Sequence, residues 1–496
     1  MKLFYNAHFW INGAFDDTVK GVLTKDGKIA DILWSDLNAY SNVEHIDLMG
    51  CFMFPGFIDT HTHSFEGGLY SLMIDLNEAT CIRDVLDMIA QGSKNKGNYI
   101  FAWNFDETKI TENRFPSRKE LDGVLPNKNL VLRRIDGHSC MVNQFACDSI
   151  LGNATKLHCE DAVFRGIEND KAVHWFHNNI DDELILKAYH AAADIALKGG
   201  FTTIHTMVGD ANMSNGHYLL LKDHLKDFAI DFELYPQSFN IDNTLNLGAK
   251  RIGGCILADG SIGSMTAALY EPYMGKPMRG TLYQTDHFWN EFIQKAHYHN
   301  LQVAVHCIGD RAIDQINKIY YQLAMQDYKD LRHQLIHCEI TDDILLEHIH
   351  QSKAVPVMQP NFDMLWGGDS GFYAKLLGAE RVRNMNRFGS MMDKGITITG
   401  SSDWYITDLN ITSSIYAALN HHNVKERLSL AKAVKIYTEN AAWLSHDENR
   451  RGSIQKGYDA DFSVLKQNPE TASLNNPTNV AMIIKKAEVV YEDMPH

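Results

Sequence analysis

The chain of 496 residues lacks the features that mark membrane, nucleic-acid-binding and disulfide-rich proteins. No run of about 18 apolar residues occurs, which excludes a transmembrane helix. No dense basic tract occurs and the net charge is −16, which argues against nucleic acid or an anionic membrane as a partner. The eight cysteines form no Cys-x-x-Cys pair, and the N-terminus has no signal-peptide pattern. These absences predict a cytoplasmic protein with reduced thiols.

The most informative stretch that is present is the apolar run that ends in Asp59, His61 and His63. Side chains alternate in direction along a strand, so the two histidines project to the same side. Two imidazoles at the end of a buried strand can hold one metal ion. An isolated His-x-His is usually a pair of ordinary histidines, so the interpretation depends on further ligands downstream.

Three further candidate ligands each end an apolar run of their own: His306, His337 and Asp403. A histidine on an apolar strand is commonly a satisfied core residue. Asp403 follows two serines, and a turn residue is its alternative interpretation. Two such histidines at successive strand ends, in order with a His-x-His and an aspartate, favour one metal site.

This ordered set resembles the amidohydrolase superfamily, whose metal ligands come as His-x-His, His, His and Asp from strands one, five, six and eight of a barrel. The chain is most similar to the amidohydrolase 3 branch, which includes the N-substituted formamide deformylases. The motifs that carry the resemblance are Gly56-Phe57-Ile58-Asp59-x-His61-x-His63, Ala258-Asp259-Gly260-Ser261-Ile262-Gly263-Ser264 and His306-x-Ile308-Gly309-Asp310-Arg311-Ala312.

Between residues 55 and 447, apolar strand-like runs alternate with helical segments, which is typical of a parallel α/β fold. The pattern predicts eight strands, at 57–61, 201–206, 230–236, 251–257, 301–306, 333–337, 354–359 and 396–401. The resemblance implies that they close into a (β/α)₈ TIM-like barrel. The candidate ligands would then lie at the C-terminal ends of its strands, where such barrels place active sites.

Both ends of the chain read as short strands separated by turns. Residues 1–54 and 448–496 predict one small composite β-sandwich beside the barrel, as the resemblance also implies. Two independent β tails are the alternative, although neither end has enough strands to bury a face alone.

The long segment at about 66–195 reads as a subdomain inserted after strand one, because ordinary βα connections are far shorter. We expect it to select substrate and exclude water. Substrate binding is assigned to Trp103 and His138 of this insertion and to Asp259 of the motif after strand four. For His138 an ordinary loop histidine is the alternative.

The candidate ligands suit a divalent metal, with Zn²⁺ expected and Mn²⁺, Fe²⁺ or Co²⁺ also compatible. A catalytic metal lowers the pKa of its water towards roughly 7, and that water is the expected nucleophile. A carboxylate must take its proton and pass it to the leaving nitrogen. Asp403 is the candidate, because the resemblance gives the strand-eight aspartate that role as well as a ligand role.

One position departs from the family pattern. Many relatives place a lysine four residues before the Asp-Gly-Ser motif, and its carboxylated form bridges two metals, whereas this chain has Cys255 there. Cys255 and Asp259 share strand parity, so a thiolate could face the site and bind zinc. A small packing residue beside a single ion is the alternative, so both one and two ions remain open.

The sequence therefore predicts a metal-dependent amidohydrolase that cleaves a C–N bond of a small molecule: an amide, formamide or cyclic amide. One alternative is a deaminase of the same superfamily, although nucleoside deaminases have a Glu where this chain has Gly309. Another is a catalytically inactive regulator on the same fold, which the complete ligand set disfavours. The expected partner is a small-molecule substrate, and formation of a homo-oligomer is left open.

Overall fold

The computed structural model describes residues 1–35, 37–135, 139–151, 163–165, 167–209, 216–472 and 479–494. The chain forms two compact units, one of residues 1–64 with 193–496 and the other of residues 65–192. Among the described residues, no helix is both long and apolar enough to cross a membrane.

Eight parallel strands of the larger unit alternate along the chain with helices, and we number them one to eight in chain order. Nearly every residue in them is buried, as is usual for parallel strands that helices cover. Strands one to three form one sheet in the order three, two, one, and strands four to eight form a second sheet in chain order. The eight strands are Phe57–Thr62, Phe201–Val208, Asp231–Pro236, Arg251–Leu257, Gln302–Cys307, Gln334–His337, Val355–Met358 and Thr399–Gly400.

The last strand returns to the first. Beyond strand eight, the Asp403 amide donates to the His61 carbonyl at 3.1 Å, and the His63 amide donates to the Trp404 carbonyl at 2.5 Å. Strands three and four lie side by side where the two sheets meet at the other edge. The arrangement is a TIM-barrel-like α/β fold.

Strand eight is shorter than the predicted 396–401. Only Thr399–Gly400 pairs with strand seven. The carbonyl of Ile398, before this strand, accepts a hydrogen bond from the Asn440 side chain at 2.8 Å. An apolar run shows where a strand passes through the core, but not how many of its residues pair with the neighbouring strand.

Helices connect and surround the strands of the larger unit. Among the described residues, the α-helices that lie wholly in this unit are Gly216–His224, Ile241–Asn246, Asp286–Tyr298, Asp310–Gln326, Asp343–Ser352, Pro360–Trp366, Phe372–Leu377, Ala379–Val382, Phe388–Asp393, Ile411–Leu419, Leu430–Ile436 and Glu439–Leu444. Short 3₁₀ helices lie at Leu37–Tyr40, Leu225–Asp227 and Val424–Glu426.

The two ends of the chain share one sheet of eight strands. Its strands are Lys2–Ile11, Ala14–Phe15, Gly21–Lys25, Lys28–Leu33, Glu44–Pro55, Phe462–Leu465, Val480–Lys485 and Glu488–Glu492. N-terminal Glu44–Pro55 pairs with C-terminal Phe462–Leu465 in antiparallel register, which joins the two ends. A buried apolar cluster built from both ends includes Phe4, Phe9, Phe462 and Ile484. The arrangement of these strands as a sandwich and the predicted domain boundaries stay predictions.

The smaller unit is built around a mixed sheet of five strands: Ile74–Asp75, Tyr99–Phe105, Asn129–Arg134, Ser139–Val142 and Val163–Arg165. Its helices are Ser64–Leu72, Ile82–Gly92, Arg118–Val124, Gln144–Leu151, Ile167–Asn179 and Asp182–Gly199, the first and last of which reach into the bounds of the larger unit. The first three strands are parallel to one another. The fourth strand pairs antiparallel with the third, and the fifth pairs antiparallel with the fourth. Apolar side chains of the sheet and helices, such as Val85, Ile100 and Leu130, form its core.

Candidate metal centre

The predicted ligands of the larger unit meet at the C-terminal ends of the parallel strands. The Nε2 atom of His61 lies 3.1 Å from Oδ1 of Asp403, and the Nε2 atom of His63 lies 3.3 Å from the same oxygen. Donor atoms of His61, His337 and Asp403 lie within 4.8 Å of one another, and all three residues are buried. Residues more than 60 positions apart in sequence are thus brought to one point.

Cys255 belongs to a second group of donor atoms, shared with His61 and His63 and also within 4.8 Å of one another. Strand four contains a bulge before it, because Gly253 pairs with strand five and the next paired residue is Ile256. The bulge requires glycine: Gly253 and Gly254 have φ of +96° and +102°, and a Cβ on Gly254 would lie 1.8 Å from the Met207 sulfur. Cys255 follows these two glycines, and its sulfur lies beside the donor atoms of His61 and His63.

His306 and His337 lie next to each other, with ring centres 4.6 Å apart. The Nε2 atom of His306 lies 3.2 Å from the Gly260 carbonyl, so this nitrogen donates and Nδ1 carries the lone pair. The Nδ1 atom of His337 lies 2.8 Å from the side-chain oxygen of Gln359, which leaves its lone pair on Nε2. Metal-ligating histidines are typically held in this way by a partner of the other nitrogen.

Several buried polar atoms of this group make no hydrogen bond of acceptable geometry among the described residues: both ring nitrogens of His61, Nδ1 of His306 and Oδ1 of Asp403. His61 Nε2 and Asp403 Oδ1 are close, at 3.1 Å, but are not aligned as donor and acceptor. Buried polar atoms are normally satisfied, so an absent group is the simplest explanation. Donor atoms on a tetrahedral zinc lie about 3.3 Å apart, given bonds of about 2.0–2.1 Å. The separations of 3.1 and 3.3 Å at Asp403 fit that spacing.

The electrostatics of the group favour the anionic forms of the Cys255 thiol and the Asp403 carboxyl. Burial raises the pKa of the Cys255 thiol, but the neighbouring His63 and His306 lower it to about 5. Burial opposes protonation of His306, yet contact with Cys255 raises its pKa to about 9. Burial likewise raises the pKa of Asp403, and contact with His61 and His63 outweighs it and holds that pKa well below the usual range. The centre thus pairs anionic thiolate and carboxylate with a protonated His306, which would release its proton when a metal ion binds.

Asp59 is a residue of this centre that our sequence analysis gave no role. Its carboxylate is fully buried and accepts the His61 amide at 3.1 Å and the Ser402 amide at 2.9 Å. It therefore ties strand one to the segment that carries Asp403. Burial raises the pKa of Asp59 to about 7. The signal was present in the sequence, since Asp59 shares strand parity with both histidines.

Glu339 was also missed. It follows His337 by two residues and is buried, and neither of its carboxylate oxygens has a hydrogen-bond partner among the described residues. Burial raises its pKa to about 8, and the carboxylates of Asp259 and Asp403 act in the same direction. His337 and Cys338 have φ of +71° and +48°, so the strand ends in a turn that a two-residue alternation does not describe.

Of the three residues assigned to substrate binding, the structure describes Asp259 in the larger unit and Trp103 in the smaller unit. Asp259 is fully buried, and its two oxygens accept the amides of Ala268, Ile308 and Gly309 at 2.7, 3.0 and 2.8 Å. These contacts favour an anchor between two loops over a contact with substrate. Trp103 lies half-buried in the sheet of the smaller unit, where its ring stacks on Tyr70 at 5.5 Å. His138 lies outside the described residues.

Asp363, His421 and His422 form a third group of donor atoms within 4.8 Å of one another. His422 Nδ1 lies 2.5 Å from Asp363 Oδ1. The Asn423 amide donates to His421 Nδ1 at 3.0 Å, so Nε2 of a neutral His421 must carry the proton. That proton faces Asp363 at 3.3 Å and leaves no lone pair for an ion. We therefore interpret this group as a hydrogen-bonded cluster rather than a metal site.

Cys307 and Cys338 are buried, and neither belongs to a group of donor atoms among the described residues. Cys307 lies near Tyr320, which belongs to the helix Asp310–Gln326. Burial raises the pKa of Tyr320 well above its ordinary value, and the nearby Cys307 thiol raises it further. His333 also points away from the ligands: its Nδ1 accepts the Val303 amide at 3.0 Å.

Comparisons with known proteins agree with this geometry. A profile of the amidohydrolase family matches residues 44–491. Protein YtcJ of Bacillus subtilis (strain 168) is 27% identical over 496 aligned residues, which cover 90% of each chain. The N-substituted formamide deformylase of Arthrobacter pascens is 23% identical over 532 aligned residues, covering 94% of this chain and 93% of the deformylase.

The fold is also that of a solved structure, an uncharacterized metal-dependent hydrolase from Pyrococcus horikoshii OT3. The two chains superpose with a TM-score of 0.81 at 22% sequence identity, over 95% of this chain and 98% of the other. The family implies a divalent metal, and the donor atoms described above fit one. The chain therefore belongs to the amidohydrolase family of metal-dependent hydrolases.

Proposed function

We propose that the protein hydrolyses a carbon–nitrogen bond of a small amide, formamide or cyclic amide. The observation that carries this proposal is the position of Asp403, a buried carboxylate with Oδ1 at 3.1 Å from His61 and 3.3 Å from His63. A carboxylate held against the metal-binding imidazoles is suited to receive a proton beside the reacting carbonyl.

In this proposal His61, His63 and Asp403 hold a divalent ion, with Cys255, His306 and His337 completing one or two metal positions. Zn²⁺ is the expected ion, since imidazole, carboxylate and thiolate all bind it. When bound, the ion supplies Lewis-acid polarisation of the substrate carbonyl and lowers the pKa of water. Cys255, whose sulfur lies within 4.8 Å of the donor atoms of His61 and His63, would supply an anionic sulfur ligand.

The residues of the chain supply the path of the proton. As the oxygen of water forms its bond to the carbonyl carbon, the Asp403 carboxylate accepts the proton released by that water. Asp403 then gives this proton to the amide nitrogen while the carbon–nitrogen bond breaks. The products are a carboxylic acid and an amine; from a formamide the acid is formate.

Two observations favour an amide-type bond over nucleoside deamination. The relative from Arthrobacter pascens is named as a formamide deformylase. In addition, a Cβ placed on Gly309 would lie 2.0 Å from the Ala268 carbonyl oxygen, so the glutamate of nucleoside deaminases has no room here. An inactive regulator remains the second candidate, and the substrate contacts of Trp103 and His138 remain predictions.

The test is hydrolysis of a panel of N-substituted formamides and N-acyl amines by zinc-loaded protein, with amine release as the readout. Asp403→Asn keeps the volume of the side chain but cannot accept the proton, so kcat should fall by about 10² or more. Asp408→Asn is the matched control, an exposed carboxylate five positions along the same segment, and should retain wild-type kcat. A metal-loaded protein that hydrolyses none of these compounds would favour the regulator.

A further inference from the structure

His337 sits between two differently held neighbours. On one side is His306, whose ring is oriented by a backbone carbonyl that no substitution can remove. On the other side His337 stacks on Phe362, with ring centres 5.7 Å apart and planes within 14°. Stacking holds the plane of the ring but does not decide which nitrogen carries the proton. A hydrogen bond has to make that choice.

We propose that Gln359 is a positioning residue, which fixes His337 in the tautomer that directs the Nε2 lone pair towards the metal. This inference rests on the proposed metal centre and concerns how the protein prepares one ligand for it. The Gln359 side-chain oxygen lies 2.8 Å from Nδ1 of His337, and both residues are buried. No sequence motif includes Gln359.

The orientation of the Gln359 amide follows from its other contacts. Its nitrogen lies 3.0 Å from the Val357 carbonyl oxygen and 2.9 Å from Ser401 Oγ. A carbonyl can only accept, so the atom facing Val357 must be the donating nitrogen. Ser401 Oγ donates its own proton to the Met358 carbonyl at 3.3 Å and is therefore free to accept from Gln359.

The tautomer of His337 follows in turn. With the amide nitrogen committed to two acceptors, the amide oxygen must face the ring, and Nδ1 must be the donor. A neutral imidazole with a proton on Nδ1 has its only available lone pair on Nε2. The chain Met358–Ser401–Gln359–His337 thus links the ends of strands seven and eight to a ligand on strand six. Such partners of metal-binding histidines are typically worth 10- to 100-fold in metal affinity.

The experiment measures zinc affinity of the metal-depleted protein by competition with a chromogenic chelator. Gln359→Leu removes the acceptor and should raise the Kd for Zn²⁺ by about 10- to 100-fold. Gln359→Glu keeps an oxygen against Nδ1 but turns the second oxygen towards the Val357 carbonyl. The Kd for Zn²⁺ should stay within about threefold of wild type, because an oxygen still accepts the Nδ1 proton of His337. The thermal stability should fall, because two oxygens now face each other at the Val357 carbonyl.

Gln302→Leu is the matched control. Gln302 is equally buried in the larger unit, and its nitrogen also donates to two acceptors, the carbonyls of Arg332 and Leu444 at 3.0 and 3.1 Å. Its loss should lower stability and leave the zinc Kd unchanged. A wild-type Kd in Gln359→Leu, or an equal loss of affinity in Gln302→Leu, would overturn the proposal.

A second measurement reads the tautomer directly in the wild-type protein and uses a variant only to assign the signal. Zinc-depleted wild-type protein labelled with ¹⁵N-histidine should show His337 with its proton on Nδ1, the signal being identified by its loss in His337→Asn. A proton on Nε2 would overturn the proposal. A wild-type protein that binds no zinc at all would instead overturn the metal centre itself, and this proposal with it.

Discussion

Asp259 offers the sharpest test of the structure, because its two oxygens serve three backbone amides. Oδ2 accepts from Ala268 and Gly309, and Oδ1 accepts from Ile308. In Asp259→Asn only one oxygen remains, so it can serve at most the first two donors. The new amide group would then face the Ile308 amide, donor against donor, inside a fully buried site.

The cost can be worked from these contacts. One charge-assisted hydrogen bond is lost, worth about 1.5–3 kcal/mol, and a buried amide is left unsatisfied at about 1–3 kcal/mol. Burial raises the pKa of Asp259 to about 6, so the neutral side chain recovers part of the desolvation cost. We expect a net loss of about 2–4 kcal/mol, which corresponds to about 30- to 10³-fold faster local opening.

Hydrogen exchange followed by mass spectrometry measures this opening on peptides that cover residues 266–270 and 306–310. Both should lose protection in Asp259→Asn. Asp310→Asn is the matched control, since Asp310 accepts its two backbone amides, of Tyr270 and Arg311, on the single oxygen Oδ1 and an asparagine can keep both. Unchanged protection in Asp259→Asn, with an altered KM once a substrate is known, would refute the anchor and restore the predicted contact with substrate.

Three further outcomes are expected. His61→Ala with His63→Ala should abolish metal retention after chelation and reloading, measured by elemental analysis; unchanged metal content would mean that the site is misassigned. Cobalt-loaded wild-type protein should show a thiolate charge-transfer band that Cys255→Ser removes, and a band that survives the substitution would exclude Cys255 as a ligand. Burial lowers the pKa of His333 from its ordinary 6.5 to about 3, and the nearby His297 and Lys329 act in the same direction. As the pH falls, the imidazole of His333 is therefore protonated in the unfolded chain at a higher pH than in the folded protein. The free energy of unfolding should therefore drop between pH 6.5 and 3, and His333→Gln should reduce that drop by up to about 1.4 kcal/mol per pH unit; equal pH profiles would show that His333 does not titrate in this way.

Much of the fold could be read from local pattern, because apolar runs and the residues that end them are neighbours in sequence. The parallel strands begin and end near their predicted positions except at strand eight, of which only Thr399–Gly400 pairs with strand seven. Local pattern does not predict the pairing in the sheet that the two chain ends share, because Glu44–Pro55 pairs with Phe462–Leu465, more than 400 residues away.

The sequence by itself determined the order and chemistry of the candidate ligands, since His61, His63, His306, His337 and Asp403 each follow a strand-like run. Only the tertiary structure decided how they are held. Cys255 lies in the strand-four bulge beside His61 and His63, Asp59 reaches the Ser402 amide 343 positions away, and Gln359 orients His337 from the next strand. The physical reason is that a local pattern sets the direction of a side chain along its own strand. Hydrogen-bond partners and the register between strands depend on segments that meet only when the chain has folded.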